Sequence, residues 1–196
     1  MARRMLSVLL AIVVAIIVIG FLLPREVVVQ RSEVIDTRPD IAFAVLNNLT
    51  YFNEWSPWYA RDPDAGYRLE GPAAGVGSTL VWAEAGDTSS GRLWITRSSP
   101  TEAIDLRLAL GETETENFFR VQAVDGGVNE HAQVTWGMRM QFGVFDLTGR
   151  YVGLMLPSLV GSDYQRGLER LKRYLEDHDR EMPPLPETVQ PSDFPG

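Results

Sequence analysis

The hydrophobic and polar positions divide the chain into an apolar N-terminal run and a longer region of alternating patterns. The run spans residues 5–23, from Met5 to Leu23, and its only non-hydrophobic positions are Ser7 and Gly20. As a helix it would be about 28 Å long, close to the ~30 Å hydrocarbon core of a bilayer. The pattern therefore predicts one transmembrane helix that attaches the protein to a membrane.

A cleavable signal peptide is the alternative interpretation of this run. Its apolar region usually has ~7–15 residues and precedes a cleavage site of small residues. Here Leu22-Leu23-Pro24-Arg25-Glu26 follows and offers no such site. The sequence therefore favours an uncleaved anchor over residues 1–24.

The charges beside the run predict its orientation. Arg3 and Arg4 precede it, and the positive-inside rule keeps such an N-terminus in the cytoplasm. A single-pass protein of a bacterial inner membrane would then carry its domain in the periplasm or outside the cell. Arg25 and Arg31 follow the run and weaken this asymmetry.

Beyond Pro24 the pattern predicts one domain over residues 25–178. A β-rich stretch at 27–35 is followed by a helical pattern at 40–49. Period-two segments then follow one another with short turns between them, which predicts an antiparallel meander. These six strands are expected at 67–70, 78–84, 91–97, 103–110, 117–124 and 130–140.

A long C-terminal helix completes the predicted domain at residues 162–178. Its apolar residues recur at helical spacing and form one stripe, composed of Tyr164, Leu168, Leu171 and Leu175. This stripe would cover the apolar face of the sheet, which gives an α+β fold with a seven-stranded antiparallel sheet. Residues 179–196 are proline-rich and are expected to be a disordered tail.

The charge of the domain excludes several partners. All 26 acidic residues and 16 of the 18 basic residues lie beyond Leu23, so the part after the anchor carries a net charge of −10. Such a surface repels phosphate backbones, so nucleic-acid binding is not expected. The chain has no cysteine, and the sequence does not specify an oligomeric state.

Several short motifs follow one another across residues 27–177. They are Trp55-Ser56-Pro57-Trp58, Asp62-Pro63, Gly71-Pro72 with Gly75-Val76-Gly77, Trp82, Val134-Thr135-Trp136, and Gly161 with Gly167-Leu168 and Leu171-Lys172. Together with the order of elements, these motifs resemble the START-like helix-grip superfamily, in particular its polyketide cyclase/dehydrase and lipid transport branch. The resemblance implies a helix-grip fold in which sheet and helix enclose a cavity for a hydrophobic ligand. It supports the fold more strongly than any reaction.

Three functions are consistent with these features. The first is non-catalytic binding of a hydrophobic small molecule or lipid at the membrane. The second is a cyclase, dehydrase or hydrolase acting on such a ligand. The third is a cell-envelope interaction module whose core is filled by its own side chains, which predicts no pocket of roughly 300 Å³ or more.

The candidate ligand-binding residues are Trp58, which follows the first helix, and large or polar side chains on the predicted strands. The strand residues are Trp82, Glu84, Arg92, Trp94, Trp136 and Met138. Aromatic and methionine side chains would line an apolar cavity, and Glu84 or Arg92 would orient a polar head. The alternatives are core packing for Trp58 and exposed cross-strand pairing for Glu84 and Arg92.

Catalytic and metal-binding chemistry finds little support in the sequence. There is no cysteine nucleophile, no Gly-x-Ser-x-Gly and no His-Glu-x-x-His motif. His131 and His178 are the only histidines, and no set of ligands has metal-binding spacing. No metal or cofactor is predicted. An Asp or Glu in the cavity could act as an acid/base residue, and Glu84 is the best candidate if it is buried.

The segment 142–160 is apolar but interrupted by Gly143, Gly149, Gly153 and Pro157. It is too broken for a second membrane span. One hypothesis is a flexible lid or portal that touches the bilayer. The other is a connector packed against the edge of the sheet.

Overall fold

The computed structural model describes residues 2–82, 90–111, 113–126 and 129–178. The chain begins with helix α1 (Ala2–Leu22) and continues into strand β1 (Glu26–Ile35) and helix α2 (Pro39–Leu46). A 3₁₀ turn (Leu49–Tyr51) and helix α3 (Phe52–Trp55) lead to the remaining strands. The tail predicted at 179–196, the end of the strand predicted at 78–84 and Glu84 itself lie outside the described residues.

The remaining elements are six strands and three helices. The strands are β2 (Arg68–Glu70), β3 (Thr79–Trp82), β4 (Gly91–Ser99), β5 (Ala103–Leu110), β6 (Thr113–Gly126) and β7 (Asn129–Gln141). The helices are α4 (Leu147–Gly153), α5 (Leu156–Leu159) and α6 (Gly161–His178). The predicted order of elements is confirmed.

The seven strands form one antiparallel sheet in the order β1-β7-β6-β5-β4-β3-β2. Strands β2 to β7 are a meander, and β1 closes the sheet beside β7. At one end of the sheet, called here the anchor end, Glu26 pairs with Gln141 only four residues after α1 finishes. At the opposite, far end, Ile35 pairs with Ala132. The predicted α+β helix-grip fold is thus confirmed.

Helix α6 packs across the inner face of the sheet. Its stripe of Tyr164, Leu168, Leu171 and Leu175 is almost completely buried, as the spacing predicts. Period two places alternate strand residues on the same face, so Ile104 and Leu106 of β5 also point inward. The far half of this interior is a continuous hydrophobic core.

Two boundaries differ from those predicted by three residues or more. The first helix was expected at 40–49 but finishes at Leu46, because the Asn48 side chain accepts a hydrogen bond from the Thr50 amide and starts a separate 3₁₀ turn. Strand β6 was expected at 117–124 but begins at Thr113. The extra residues include Glu114 and Glu116, which form ion pairs with Arg107 on the outer face instead of adding apolar alternation.

Helix α1 is the one helix of the described residues that is long and apolar enough to cross a membrane, a test that signal sequences also pass. From Arg3 to Leu22 its residues are exposed apart from Gly20, which is buried. The segment 142–160 forms the short helices α4 and α5. Helix α4 contacts α1, while α5 contacts β1 and α6.

Candidate functional site

A cavity of about 640 Å³ lies between the inner face of the sheet and the helices α3, α5 and α6. It occupies the anchor end, because Met140 of its wall pairs with Val27 near the start of β1. Most wall residues are apolar or aromatic: Phe52, Trp58, Ala65, Tyr67, Trp82, Leu108, Leu110, Met138, Met140, Leu156, Val160 and Tyr164. The polar wall residues are Ser56, Asp62, Thr113, Thr115 and Asp163.

An aromatic cluster separates the cavity from the packed core. Its centre is Trp136 of β7, which is 2% exposed and stacks on Tyr164 of α6 with ring centroids 4.4 Å apart. Trp55 and Trp58 each contact the Trp136 indole in an edge-to-face arrangement, with ring centroids 5.5 Å and 5.4 Å apart. Such edge-to-face and stacked pairs hold the rings in fixed orientations. The cluster is therefore a rigid floor beneath the cavity.

A buried hydrogen-bond chain connects α6 to the sheet beside this floor. The Tyr164 hydroxyl donates to Asn117 Oδ1 at 2.7 Å, and Asn117 Nδ2 donates to Thr115 Oγ1 at 3.0 Å. Burial, and then the nearby charge of Asp163, raise the pKa of the Tyr164 phenol. The phenol is therefore a neutral hydrogen-bond donor at physiological pH.

Two carboxylates lie in the wall of the cavity. Burial alone would raise the pKa of Asp163, but hydrogen bonds from Arg61 and Arg166 outweigh it and lower that pKa. Asp62 forms no salt bridge within the described residues and lies near Tyr67. Burial, followed by the charges of Asp62 and Tyr59, raises the pKa of the Tyr67 phenol.

A second aromatic group forms the side wall. The ring of Trp82 lies 6.0 Å from that of Tyr67, which in turn lies 5.1 Å from Tyr59. Trp82 pairs across the sheet with Gly91, and a Cβ atom at Gly91 would overlap the indole. The glycine thus provides the space in which Trp82 lies against the sheet.

Comparison with known protein families matches residues 26–176 to the family described as polyketide cyclase / dehydrase and lipid transport. This match covers nearly all of the described chain after α1.

The chain belongs to this family.

Solved structures show the same fold at low sequence identity. The aromatase/cyclase Zhui from Streptomyces sp. R1128 has a TM-score of 0.55 and 15% identity, covering 80% of this chain and 97% of its own. Norcoclaurine synthase from Thalictrum flavum, in complex with dopamine and hydroxybenzaldehyde, has a TM-score of 0.54 and 12% identity, covering 82% and 92%. The Aha1 dimer from Colwellia psychrerythraea has a TM-score of 0.51 and 17% identity, covering 76% and 96%. A search of curated proteins gives no significant match.

In this member of the polyketide cyclase/dehydrase and lipid transport family, the structure brings three of the predicted ligand-binding residues together. Trp58, Trp82 and Met138 all line the cavity. Trp136 lies just beneath it, in the floor. Glu84 lies outside the described residues.

Arg92 and Trp94 do not reach the cavity. They lie on the outer face of β4, where the Arg92 guanidinium stacks over the Trp94 ring at 4.9 Å from its centroid. The residues between and beside them, Gly91, Leu93 and Ile95, are buried on the inner face. The alternation along β4 correctly places Arg92 and Trp94 on one face and their neighbours on the other. The presence of an aromatic side chain, however, does not indicate which face points inward.

Several wall residues are not among the predicted site residues. From the sequence, Tyr164 is predicted only as part of the apolar stripe of the C-terminal helix, and Asp62 is noted only as part of the Asp62-Pro63 motif. Leu156 and Val160 belong to the apolar segment that follows β7. The periodicity of the sequence does not specify where this segment lies relative to the sheet. Among the described residues, no group of three His, Cys, Asp or Glu side chains is arranged to hold a metal ion.

Proposed function

We propose that this protein binds a hydrophobic small molecule or a lipid in the cavity, without chemistry, while α1 holds it at a bacterial inner membrane. The observation that carries the proposal is the cavity itself. Its volume of about 640 Å³ falls within the ~300–1,000 Å³ typical of small-molecule sites.

The composition of the wall supports a hydrophobic ligand. Met138, Met140 and Leu108 provide flexible or apolar surface on the sheet, and Leu156 provides it on the opposite side. Methionine adapts to ligands of irregular shape because its side chain is unbranched and polarisable. The hydroxyl of Thr115 and the other polar wall groups would orient one end of the ligand.

The cavity also argues against an interaction module with a filled core. That function predicts no pocket of roughly 300 Å³ or more, and the cavity is about 640 Å³. The membrane attachment is supported by the length and apolar surface of α1. A sparingly soluble ligand would be concentrated in the bilayer next to the binding site.

Native mass spectrometry with lipid extraction tests the proposal on the full-length protein in mild detergent. We expect a stoichiometric hydrophobic passenger in the wild type. Leu108→Trp would fill the cavity and remove the passenger, whereas Gln122→Trp, on the exposed outer face of β6, would retain it. A wild type that stays empty when offered a total lipid extract would contradict the proposal, as would a passenger that Leu108→Trp retains.

A second candidate is an enzyme of the cyclase or dehydrase type acting on the same ligand. The observation in its favour is Asp62, a half-buried carboxylate in the cavity wall beside the Tyr67 phenol. A carboxylate and a phenol at one apolar site are groups suited to proton transfer. Glu84, the acid predicted from the sequence, lies outside the described residues.

The mass and fragmentation pattern of the passenger distinguish the two candidates even when the substrate is unidentified. If the protein is an enzyme, the passenger of Asp62→Asn should differ from that of the wild type, because the substrate accumulates unchanged. A dehydration changes its mass by one water, whereas a cyclisation without loss of water changes only its fragmentation pattern. If it is a binding protein, both carry the same molecule. Asp64→Asn, an exposed carboxylate two residues away, is the matched control.

A further inference from the structure

The end of α1 is held by a buried arginine from α4. Arg150 is 2% exposed, and its Nη1 donates to the carbonyls of Gly20, Phe21 and Leu23 at 3.3, 3.1 and 3.3 Å. Its Nη2 donates to the carbonyls of Gly143 and Val144. No carboxylate of the described residues pairs with it. The guanidinium therefore caps the negative end of the α1 dipole and satisfies carbonyls that the helix itself leaves free.

Helix α4 also packs along the side of α1. The Tyr151 hydroxyl donates to the carbonyl of Ile16 at 2.6 Å. A Cβ atom at Gly20, the one glycine of α1, would lie 3.2 Å from the Tyr151 ring and 3.3 Å from Leu147 Cβ. A glycine at this point lets two helices approach closely, as at contacts between membrane helices.

These contacts fix the depth of α4 relative to the membrane. Ile16 lies six residues before Leu22, the last residue of α1, which corresponds to about 9 Å along the helix axis. The span from Arg3 to Leu22 has 20 residues, just enough to cross the ~30 Å hydrocarbon core. If α1 spans a bilayer, Tyr151 and its neighbours must therefore lie at or below the outer boundary of that core.

The surface that would enter the bilayer is apolar. We call it the α4–α5 surface, and its members are Phe145, Val152, Leu154, Met155 and Leu159. Phe145 is 83% exposed, and its ring contacts that of Phe21 of α1 edge-to-face, with centroids 6.3 Å apart. The α4–α5 surface is therefore continuous with the apolar surface of α1. The segment 142–160 has only two charged residues: Asp146 caps α4 through the Gly149 amide, and Arg150 is buried.

We infer that the domain is docked rigidly on its own anchor through Arg150 and Gly20, and that the α4–α5 surface is immersed in the bilayer that α1 crosses. This inference rests on the membrane attachment of the proposed function but not on its ligand. Helix α5 then separates two apolar environments. Leu156 and Val160 face the cavity, whereas Met155 and Leu159 face the lipid. A ligand could pass between bilayer and cavity through a wall one helix thick.

The immersion is measured with single-cysteine labels, since the chain has no cysteine of its own. Full-length Met155→Cys, Leu159→Cys and Gln122→Cys are labelled with an environment-sensitive fluorophore and reconstituted in phosphatidylcholine vesicles. We expect a lipid-phase spin-labelled quencher to quench positions 155 and 159 at least twofold more than position 122, which lies on the outer face towards the far end. Equal quenching at all three positions would overturn the immersion.

The docking is tested with two variants that leave the sheet untouched. Arg150→Gln removes the cap of α1, and Gly20→Leu wedges α4 away from α1 while keeping α1 apolar. Both should reduce quenching at position 155 to the level of position 122. The controls are Arg173→Gln, an exposed arginine of α6, and Val13→Leu, an exposed position of α1, and both should leave quenching unchanged. Undiminished quenching in Gly20→Leu would overturn the docking.

Two further measurements keep this inference separate from the proposed function. The mass of the protein from native membranes shows whether α1 is retained, and its removal would overturn the docking. The passenger is measured in the same preparations. A domain without a passenger whose α4–α5 surface is still quenched would contradict the ligand proposal alone.

Discussion

At the residue scale, Trp136 and Tyr164 connect helix α6 to the sheet beside the cavity. Their rings stack, and the Tyr164 hydroxyl donates a hydrogen bond to Asn117 of β6. Buried polar groups contribute modestly when paired but are costly when a partner is removed.

Tyr164→Phe should therefore lower the stability of the domain. It leaves Asn117 Oδ1 buried without its donor, which should cost about 1–3 kcal/mol in the free energy of unfolding. Tyr174→Phe on the same helix is the control, because the Tyr174 hydroxyl makes no hydrogen bond within the described part of the chain. Urea denaturation in detergent would measure both, and equal stability of the two variants would contradict the role assigned to the Tyr164–Asn117 bond.

Asp163 should make stability depend on acid pH. Burial opposes its ionisation, but Arg61 and Arg166 lower its folded pKa below the ordinary value of 3.8. Its stabilising contribution is therefore complete above that unfolded pKa and is lost as the pH falls through the lower folded value. Unfolding midpoints between about pH 5 and pH 2 should fall less steeply in Asp163→Asn than in the wild type. Parallel curves would show that these ion pairs contribute nothing measurable.

At the element scale, the contact between α6 and the sheet positions the wall of the cavity. Gly167 lies where α6 approaches β7, and a Cβ atom there would overlap the Trp136 indole and lie 3.2 Å from Pro57 Cδ. The spacing of the stripe on α6 predicts which face is buried, but not this close approach.

Gly167→Ala should destabilise the domain although alanine favours helix formation. Overpacking against a rigid indole costs about 1–3 kcal/mol. Gly161→Ala, six residues earlier on the same helix, meets only the flexible end of Arg31 and should change stability by less than about 0.5 kcal/mol. The free energy of unfolding from urea titration separates the two variants, and a stabilised Gly167→Ala would mean that α6 shifts freely on the sheet.

At the scale of the whole molecule, the strand register places the cavity beside the anchor. Met140 pairs with Val27, and β1 begins four residues after α1, so the cavity lies at the anchor end. The packed core occupies the far end. The cavity and α1 are thus neighbours in the fold.

The orientation predicted from Arg3 and Arg4 is testable in intact cells. A cysteine at Gln122 of the full-length protein should react with a membrane-impermeant maleimide added outside spheroplasts, because the domain is expected in the periplasm. A cysteine at Ala2 should react only after lysis. The reverse pattern would place the domain in the cytoplasm.

The sequence by itself determined the fold and the existence of α1, because both depend on local patterns of apolar residues. The alternation along β5 and the helical stripe on α6 specify which faces are buried whatever their partners. The Asn48 cap makes α2 end earlier than predicted, and the polar residues at its start make β6 begin earlier than predicted. Neither difference changes the order of the elements.

The tertiary structure decided which residues line the cavity and where α4 lies. Trp82 and Trp94 have the same chemistry, but only the pairing of β3 with β4 decides which of them faces the cavity. Arg150 lies 127 residues from Leu23 in the chain, and no pattern along the sequence connects it with the end of α1. Such long-range contacts depend on how the elements pack in three dimensions, and the periodicity of a single segment carries no information about its partner.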